Sequence, residues 1–491
     1  MNASTSFNPI GHFPAEIPTA RCHIDGAWIE GEGASKDTVS PRDGAVVSRV
    51  RYATTAQIDA TVAAAKRAQR EWAKVPMAAR AEVLSAGLYA VEKNAESICS
   101  WISREMGKTI NEARGEVVRD VVLPIGRKII GEARTFAGRI PPAWSAAYPN
   151  RRVHVLNQPI GVTALISPWN FPVEKIVVAV ASMMMGNACV WKPSEWAPFA
   201  PQLLTETFLS AGGMPDGLLN LVYGGPQEGE HLVSHADVDL VSFIGSTAVG
   251  EQIARAAGVK RLLLELGGNG PLIVLDDADI DRAVQAAVFG CFWQAGQVCT
   301  CAERILVHDA VYDEFAEKLA AAAKRLKVGD PLDETTEMGP LSETRILNKV
   351  VRHVKDARSK GATILAGGGH QGLFFEPTVL TNVTTDMEIY YEETFGPVAP
   401  LLKITSAEEA LQLANASEYG LSMAVFTSSM KTAFKMAEEL EAGIVNVNAS
   451  NNDAEVNGPF GGWKKSGIGR LLGEDMLRCL SNLKTVTFDL G

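Results

Sequence analysis

Between Gly186 and Val288 short apolar runs alternate with stretches of helical spacing, and this alternation restricts the fold more than any other feature of the chain. The runs are Ala188 to Trp191, Leu218 to Val222, Val238 to Ile244, Leu262 to Leu266 and Leu272 to Leu275, with helical patterns near Pro201 to Ser210 and over Val249 to Ala257. Strand alternating with helix specifies a parallel sheet covered on both faces, because a parallel neighbour is reached only through a crossover. A second set begins near Ala302: Arg304 to Val307, a helix Val311 to Leu326, another near Lys349 to Lys360, then runs at Ala399 to Ile404, Ala424 to Thr427 and Ile444 to Val447. This predicts a second α/β unit, divided from the first near Gly267 and Gly268. Upstream, Ile58 to Trp72 has helical spacing behind a Thr54 and Gln57 capping box, and a helical pattern runs from Ala79 to about Ser103. After Pro142, Val153 to Leu156 and Val162 to Ile166 read as extended pieces, either a protruding hairpin or the way into a sheet.

At roughly 150 residues per domain a chain of 491 residues allows about three units, hence a large core and a cleft between domains. No repeat of fixed period and no low-complexity linker is visible. The formal charge of −11, from 46 Lys plus Arg against 57 Asp plus Glu, argues against nucleic acid as a partner, since backbone affinity needs clustered cations. Met1 to Ile10 has no basic region followed by an apolar stretch, so no secretory signal is expected. The most apolar stretch, Ile176 to Val190, is interrupted by Ser182, Gly186 and Asn187 and falls short of the roughly 20 residues of a membrane span; it reads as a buried helix. Seven cysteines (Cys22, Cys99, Cys189, Cys291, Cys299, Cys301, Cys479) spread through a long chain fit reduced thiols in a cytoplasmic protein better than a disulfide framework.

Four segments carry groups suited to chemistry. Gly245 to Gly250 follows a strand and opens a helix, where free N–H groups suit a pyrophosphate, although its glycines do not make GxGxxG; a helix simply starting after a strand is the alternative. By spacing alone Glu265, 20 residues beyond Gly245, would be taken as the acid on a ribose. Cys299 lies in a glycine-containing link, Phe292 to Arg304, where a thiol can be a nucleophile or a buried structural group. A Cys299/Cys301 metal site lacks further Cys or His ligands at short spacing, so no metal is expected. Pro168 to Pro172 is a proline-bracketed turn able to aim one amide into a cleft, and Trp191 to Glu195 places a cation and a carboxylate at a strand's C-terminal end, where open α/β sheets bind ligands.

Taken together these segments resemble the aldehyde dehydrogenase superfamily across nearly the whole chain: PWNFP (168–172), WKPSE (191–195), FIGSTAVG (243–250), ELGG (265–268), GQVCTCAER (296–304), ETFGP (393–397) and PFGGWKKSGIG (459–469), in that order. The Cys loop and GWKKSGIG are most similar to lactaldehyde and glycolaldehyde dehydrogenases. The resemblance implies a Rossmann-type NAD-binding domain (1–139 and 158–266), a second α/β catalytic domain (267–460) and a small β oligomerisation element (140–157 and 477–491), forming a homodimer or homotetramer. It makes Cys299, not Cys301, the nucleophile, gives the oxyanion to the Asn170 amide and the Cys299 N–H, and turns Glu265 from a ribose ligand into a general base.

NAD contacts implied in the same way are Lys192 and Glu195 at the adenosine ribose, Trp169 and Gly225 near the cofactor, Ser246 at the pyrophosphate, and Glu393 with Phe395 at the nicotinamide ribose and ring. Glu195 would accept both ribose hydroxyls of NAD and repel the 2′-phosphate of NADP. Phe171, Trp293 and Phe460 are expected to line an aromatic tunnel. Lys175 either reads an anionic group on the substrate or pairs with Glu174 or Glu195. These clues leave a small hydroxyaldehyde, a semialdehyde and an aromatic aldehyde open. A CoA-acylating relative would not need Glu265, a silent one would be expected to lack Cys299 or Glu265, and a thiol hydrolase would not require Lys192, Glu195 and Glu393 together.

Overall fold

A computed structural model describes residues 16–490. The Met1 to Ile10 segment, the first residues of the 1–139 range and Gly491 of the 477–491 range lie outside them. Two sheets dominate. The first has eight strands in the spatial order Gly467–Ile468, Arg261–Glu265, Leu240–Ile244, Val162–Ile166, Ala188–Lys192, Leu219–Leu221, Cys22–Ile24 and Ala27–Ile29. Its middle five strands are parallel, with antiparallel strands at both edges. The second has seven: Thr363–Ala366, Thr378–Thr381, Val398–Ile404, Ala302–His308, Gly270–Val274, Ser422–Phe426 and Ile444–Val447. All of its pairings are parallel except the first. Buried strands such as Val162–Ile166 and Gly270–Val274 are covered on both faces, which is why they read as continuous apolar runs.

The strand order places the site. From Val162–Ile166 the first sheet grows one way through Ala188–Lys192 and Leu219–Leu221 and the other way through Leu240–Ile244 and Arg261–Glu265. The order therefore reverses between Val162–Ile166 and Leu240–Ile244, and ligands of open parallel sheets settle in the crevice outside the carboxyl ends at such a point. The turn Pro168–Pro172 leaves one of these strands and Gly245–Ser246 the other. From Glu265 the chain passes through Leu266–Asn269 directly into the first strand of the second sheet, so the carboxyl ends of the first sheet meet the amino ends of the second. Each sheet has its own buried core, and Trp169 packs against both.

Thr54 caps the helix Thr55–Trp72 with Gln57 as its reciprocal partner. The pattern over Ala79 to Ser103 is two helices, Met77–Lys93 and Ala95–Met106, because Asn94 leaves helical geometry (φ −113°, ψ 13°) without interrupting the apolar spacing. The stretch Ile176 to Val190 is not one buried helix: the helix Lys175–Met184 ends before Gly186, whose φ of 87° turns the chain into the strand Ala188–Lys192. Of the two extended pieces after Pro142, Val162–Ile166 is a central strand of the first sheet, whereas Val153 to Leu156 lies inside Arg151–Pro159, paired antiparallel with Ser481–Asp489 in a separate two-stranded ribbon. Between these regions, Gly467–Ile468 returns to the edge of the first sheet, and Met476, Leu477 and Leu480 of the segment around the helix Gly473–Cys479 join the first core. No described helix is long and apolar enough to cross a membrane.

Candidate active site

Three loops converge where the two sheets meet. The Cys loop leaves the helix Ile280–Phe292 through a short 3₁₀ turn, Trp293–Gly296, in which Gln294 and Ala295 take left-handed φ values of 51° and 54°. Cys299 then faces a cavity of about 250 Å³. Cys301 is buried, its Sγ 3.3 Å from the Gly296 carbonyl oxygen, and burial holds its thiol well above the ordinary value. Gly268 runs against the same loop: a Cβ there would lie 2.1 Å from the Cys299 carbonyl oxygen, so only glycine permits this approach. The turn 168–172 supplies Asn170, whose Nδ2 donates to the Gln297 carbonyl oxygen at 3.0 Å and ties the two loops together. An amide has a second N–H, left to serve the cavity that Asn170 lines.

Glu265 ends its strand with the carboxyl group in the same cavity and Oε1 buried without a hydrogen-bond partner. Burial pushes this carboxyl up to about 8; the Cys299 thiol, hydrogen-bonded to it, and the Lys175 ammonium pull the other way, and the charges of Glu174 and Glu393 add to the rise. Cys299 is pushed well above its ordinary value by burial first and then by Glu265. Cys299 and Glu265 thus stand as a thiol hydrogen-bonded to a carboxyl group, both raised by burial.

The cavity walls include Trp169, Phe171, Trp293, Phe395 and Phe460. Trp169 and Phe395 meet edge to face at 5.7 Å, and Phe171 leans on Trp293 at 5.9 Å. Lys175 is not in this wall. Its side chain is fully buried and Nζ donates to Ser242 Oγ at 2.8 Å on the neighbouring strand, so the expected substrate contact is not made. The physical reason is the helix direction: at the first position of Lys175–Met184 the side chain turns into the domain, while Glu174 lines the cavity. Burial lowers Lys175 and raises Glu174, and each charge moderates the other.

The residues expected at a dinucleotide occupy adjoining strand ends. Ser246 caps the helix Thr247–Ala256 by position only; its hydroxyl makes no capping bond and is exposed, leaving the helix start open to a phosphate. Lys192 Nζ donates to the Gly224 carbonyl oxygen at 2.6 Å, and Glu195 lies 3.8 Å from Lys36. Gly225 starts the helix Pro226–Ser234 beside Tyr52, whose ring carbon would lie 3.3 Å from a Cβ. Glu393 Oε1 accepts from the Gly268 N–H at 3.0 Å. These groups fit a dinucleotide: an open helix start for the pyrophosphate, a carboxylate for ribose hydroxyls and a second carboxylate beside the cavity that Cys299 faces. Lys192, Glu195 and Gly225 do not line the cavity that holds Cys299, whereas Trp169, Ser246, Glu393 and Phe395 do.

Residues 28–486 match the family model described as the aldehyde dehydrogenase family. The chain belongs to the aldehyde dehydrogenase family. Its members are oxidoreductases that act on aldehydes with NAD(P), and this enzyme is one of them. It is 36% identical over 490 residues to a chloroplastic betaine aldehyde dehydrogenase of Beta vulgaris, covering 97% of both chains. It is 37% identical to an NAD(+) benzaldehyde dehydrogenase of Pseudomonas putida, covering 91% of both. The crystal structure of lactaldehyde dehydrogenase from Escherichia coli superposes with a TM-score of 0.93 at 33% identity, over 96% of this chain and 100% of that one.

Some groups at the site were not singled out by sequence reasoning. Glu303 accepts from the N–H groups of Thr394 and Phe395, both at 2.8 Å, and so holds Phe395 in its left-handed conformation (φ 57°). It stands inside the GQVCTCAER motif, which was its signal. Glu174 appeared only as a possible partner of Lys175, and the cavity residues Arg345 and Lys349 come from a surface-patterned helix with no motif.

Proposed function

We propose that Cys299, Glu265 and Asn170 carry out the oxidation of an aldehyde to its carboxylic acid. The observation that carries this reading is their convergence on one walled cavity at the reversal point of the first sheet. Glu265 takes the thiol proton and the Cys299 sulfur adds to the aldehyde carbon, forming a tetrahedral thiohemiacetal. Its oxyanion is held by the free N–H of the Asn170 amide and the Cys299 backbone N–H. When bound, NAD supplies the hydride acceptor; as the C–H bond of the thiohemiacetal breaks, the oxyanion's electron pair re-forms the carbonyl and leaves the acyl group as a thioester on Cys299. Glu265 then takes a proton from water, which adds to the thioester carbonyl and releases the acid with Cys299 restored. Each turnover brings two protons to Glu265, so the first must leave before the water is activated. A CoA-acylating enzyme would have no use for this second step.

The walls favour an uncharged aromatic or apolar aldehyde. Phe171, Trp293 and Phe460 offer flat apolar faces, Lys175 is turned away and the Glu174 carboxyl group opposes an anionic semialdehyde, while of the two cations that line the cavity Arg345 is paired with Glu343 and Lys349 stands beside Phe395. The benzaldehyde-oxidising relative supports this choice. Glu195 favours NAD over NADP, and the nearby Lys36 ammonium offsets part of its repulsion of a 2′-phosphate. The ribbon of Arg151–Pro159 and Ser481–Asp489 exposes Leu156, Leu483 and Phe488, and two strands alone are marginal in water, so we assign it to the contact of a homodimer or homotetramer. Seven free cysteines support a reducing, cytoplasmic setting for the enzyme.

The test is NADH formation with benzaldehyde, hexanal, lactaldehyde, glycolaldehyde and succinate semialdehyde, with Cys299→Ala and Glu265→Gln alongside. Turnover by wild type alone, with benzaldehyde at the highest kcat/KM, is the expected result. NADH only upon addition of CoA would overturn the hydrolytic reading, and a preference for succinate semialdehyde would overturn the substrate assignment.

A further inference from the structure

Behind the cavity lies a group of ionisable residues that the reaction above does not use. Lys108, Glu112 and Glu116 are buried in the helical layer of the first domain, Lys108 and Glu116 with no exposed side-chain surface at all. Lys108 Nζ donates to Glu116 Oε2 at 2.6 Å and sits 4.0 Å from the centre of the Phe171 ring. The other oxygen of Glu116 accepts from the N–H of Val173 at 3.1 Å. Glu112 accepts from the N–H of Gln294 at 2.7 Å and, through its second oxygen, from that of Thr109 at 2.8 Å. The segment that presents these groups runs from the helix Ile110–Arg114 into a π-helix, Gly115–Arg119, a rare form frequent at functional sites.

Three of these contacts fall on the loops that carry Asn170 and Cys299. Phe171 lies in the turn of Asn170, Val173 follows that turn, and Gln294 is the first left-handed residue of the loop that carries Cys299. The two loops also meet directly, through the bond from Asn170 to the Gln297 carbonyl oxygen and the contact of the Phe171 and Trp293 rings. A left-handed non-glycine residue persists only where its surroundings hold it, and Gln294, with neither side-chain polar atom bonded, is held through its backbone: its N–H donates to Glu112, and its carbonyl oxygen accepts from the Gln297 N–H at 3.1 Å and the Gln297 Nε2 at 3.0 Å. Buried ion pairs add little net stability compared with apolar packing, which makes registry the better account of three charged groups in this layer.

We propose that Lys108, Glu112 and Glu116 form a clamp that sets the separation of Asn170 from Cys299, making them positioning residues for the oxyanion pocket. The clamp rests on Asn170 and Cys299 being the catalytic pair. It is tested with Lys108→Met/Glu116→Gln, which removes both charges, keeps the shapes and keeps an acceptor for Val173, and with Glu112→Gln, which removes one charge and leaves a single oxygen to accept from either Gln294 or Thr109. Steady-state NADH formation, NAD affinity and thermal unfolding are measured for each, alone and in an Asn170→Ala background.

The double variant is expected to lower kcat by about tenfold or more, since ångström displacements in a reacting geometry have effects of that size. NAD affinity and Tm should stay near wild type. With Asn170 already gone, the same change should cost less than about threefold, because coupled residues are not additive. Equal fold-losses in both backgrounds would overturn the clamp, as would a loss matched by weaker NAD binding and a lower Tm. If the double variant does not fold, Glu112→Gln decides by the same comparison. An Asn170→Ala enzyme with wild-type kcat would overturn both the clamp and the oxyanion pocket on which it rests.

Discussion

Glu265 makes the pH profile a direct test of the mechanism. With its carboxyl at about 8, roughly 1% is ionised at pH 6, about 9% at pH 7 and half at pH 8. If the carboxylate is the form that accepts the thiol proton, kcat/KM for the aldehyde should climb about 50-fold between pH 6 and pH 8 and level off above pH 9. The assay is initial NADH formation at low aldehyde and saturating NAD from pH 5.5 to 9.5, with Glu265→Gln in parallel. A rise already complete by pH 5.5, or the same rise in Glu265→Gln, would refute the assignment. The same burial has a stability consequence. A carboxyl raised on folding binds its proton more tightly in the native state, so folding loses free energy as pH rises from the unfolded value near 4.3 through 8, by at most about 1.4 kcal/mol per pH unit. Glu265→Gln should therefore hold its Tm better than wild type toward alkaline pH.

Removing the cation that lowers Glu265 should move the profile to higher pH: Lys175→Met shifts the rise alkaline and Glu174→Gln shifts it acid, read from the same kcat/KM curves. Asn170→Ala should cost about 10²- to 10³-fold in kcat, with NAD affinity unchanged by equilibrium titration. Glu195→Ser should raise kcat/KM for NADP relative to NAD, and an unchanged ratio would remove Glu195 from cofactor discrimination. Truncation at Leu480, which deletes the outer strand of the ribbon, should yield smaller particles by light scattering after size-exclusion chromatography.

The motifs were legible because their chemistry is local. A nucleophile needs its loop, a pyrophosphate needs a helix start after a strand, and both leave contiguous residues such as Gly296 to Arg304 and Phe243 to Gly250. The alternation of strand and helix was legible for the same reason, since apolar spacing reports which faces are covered. Boundaries were not: Asn94 leaves helical geometry within one continuous apolar pattern, and Gly186 divides an apolar stretch that hydropathy alone joins.

Lys175 shows what lay beyond a linear reading. The residue types in Val173 to Val178 permit a cation in the tunnel or a cation in the core, and only the orientation of the helix Lys175–Met184 on its sheet sends the ammonium to Ser242 and leaves Glu174 at the cavity. The clamp is more distant still: Glu112 and Gln294 are 182 positions apart, and nothing near either residue names the other. By itself the sequence determined the order of strands and helices, the family, and the groups capable of reaction, because each depends on neighbours along the chain. Tertiary structure alone decided which carboxyl groups are desolvated, which cation is turned inward and how the two catalytic loops are held, because burial and charge depend on elements that meet only after folding.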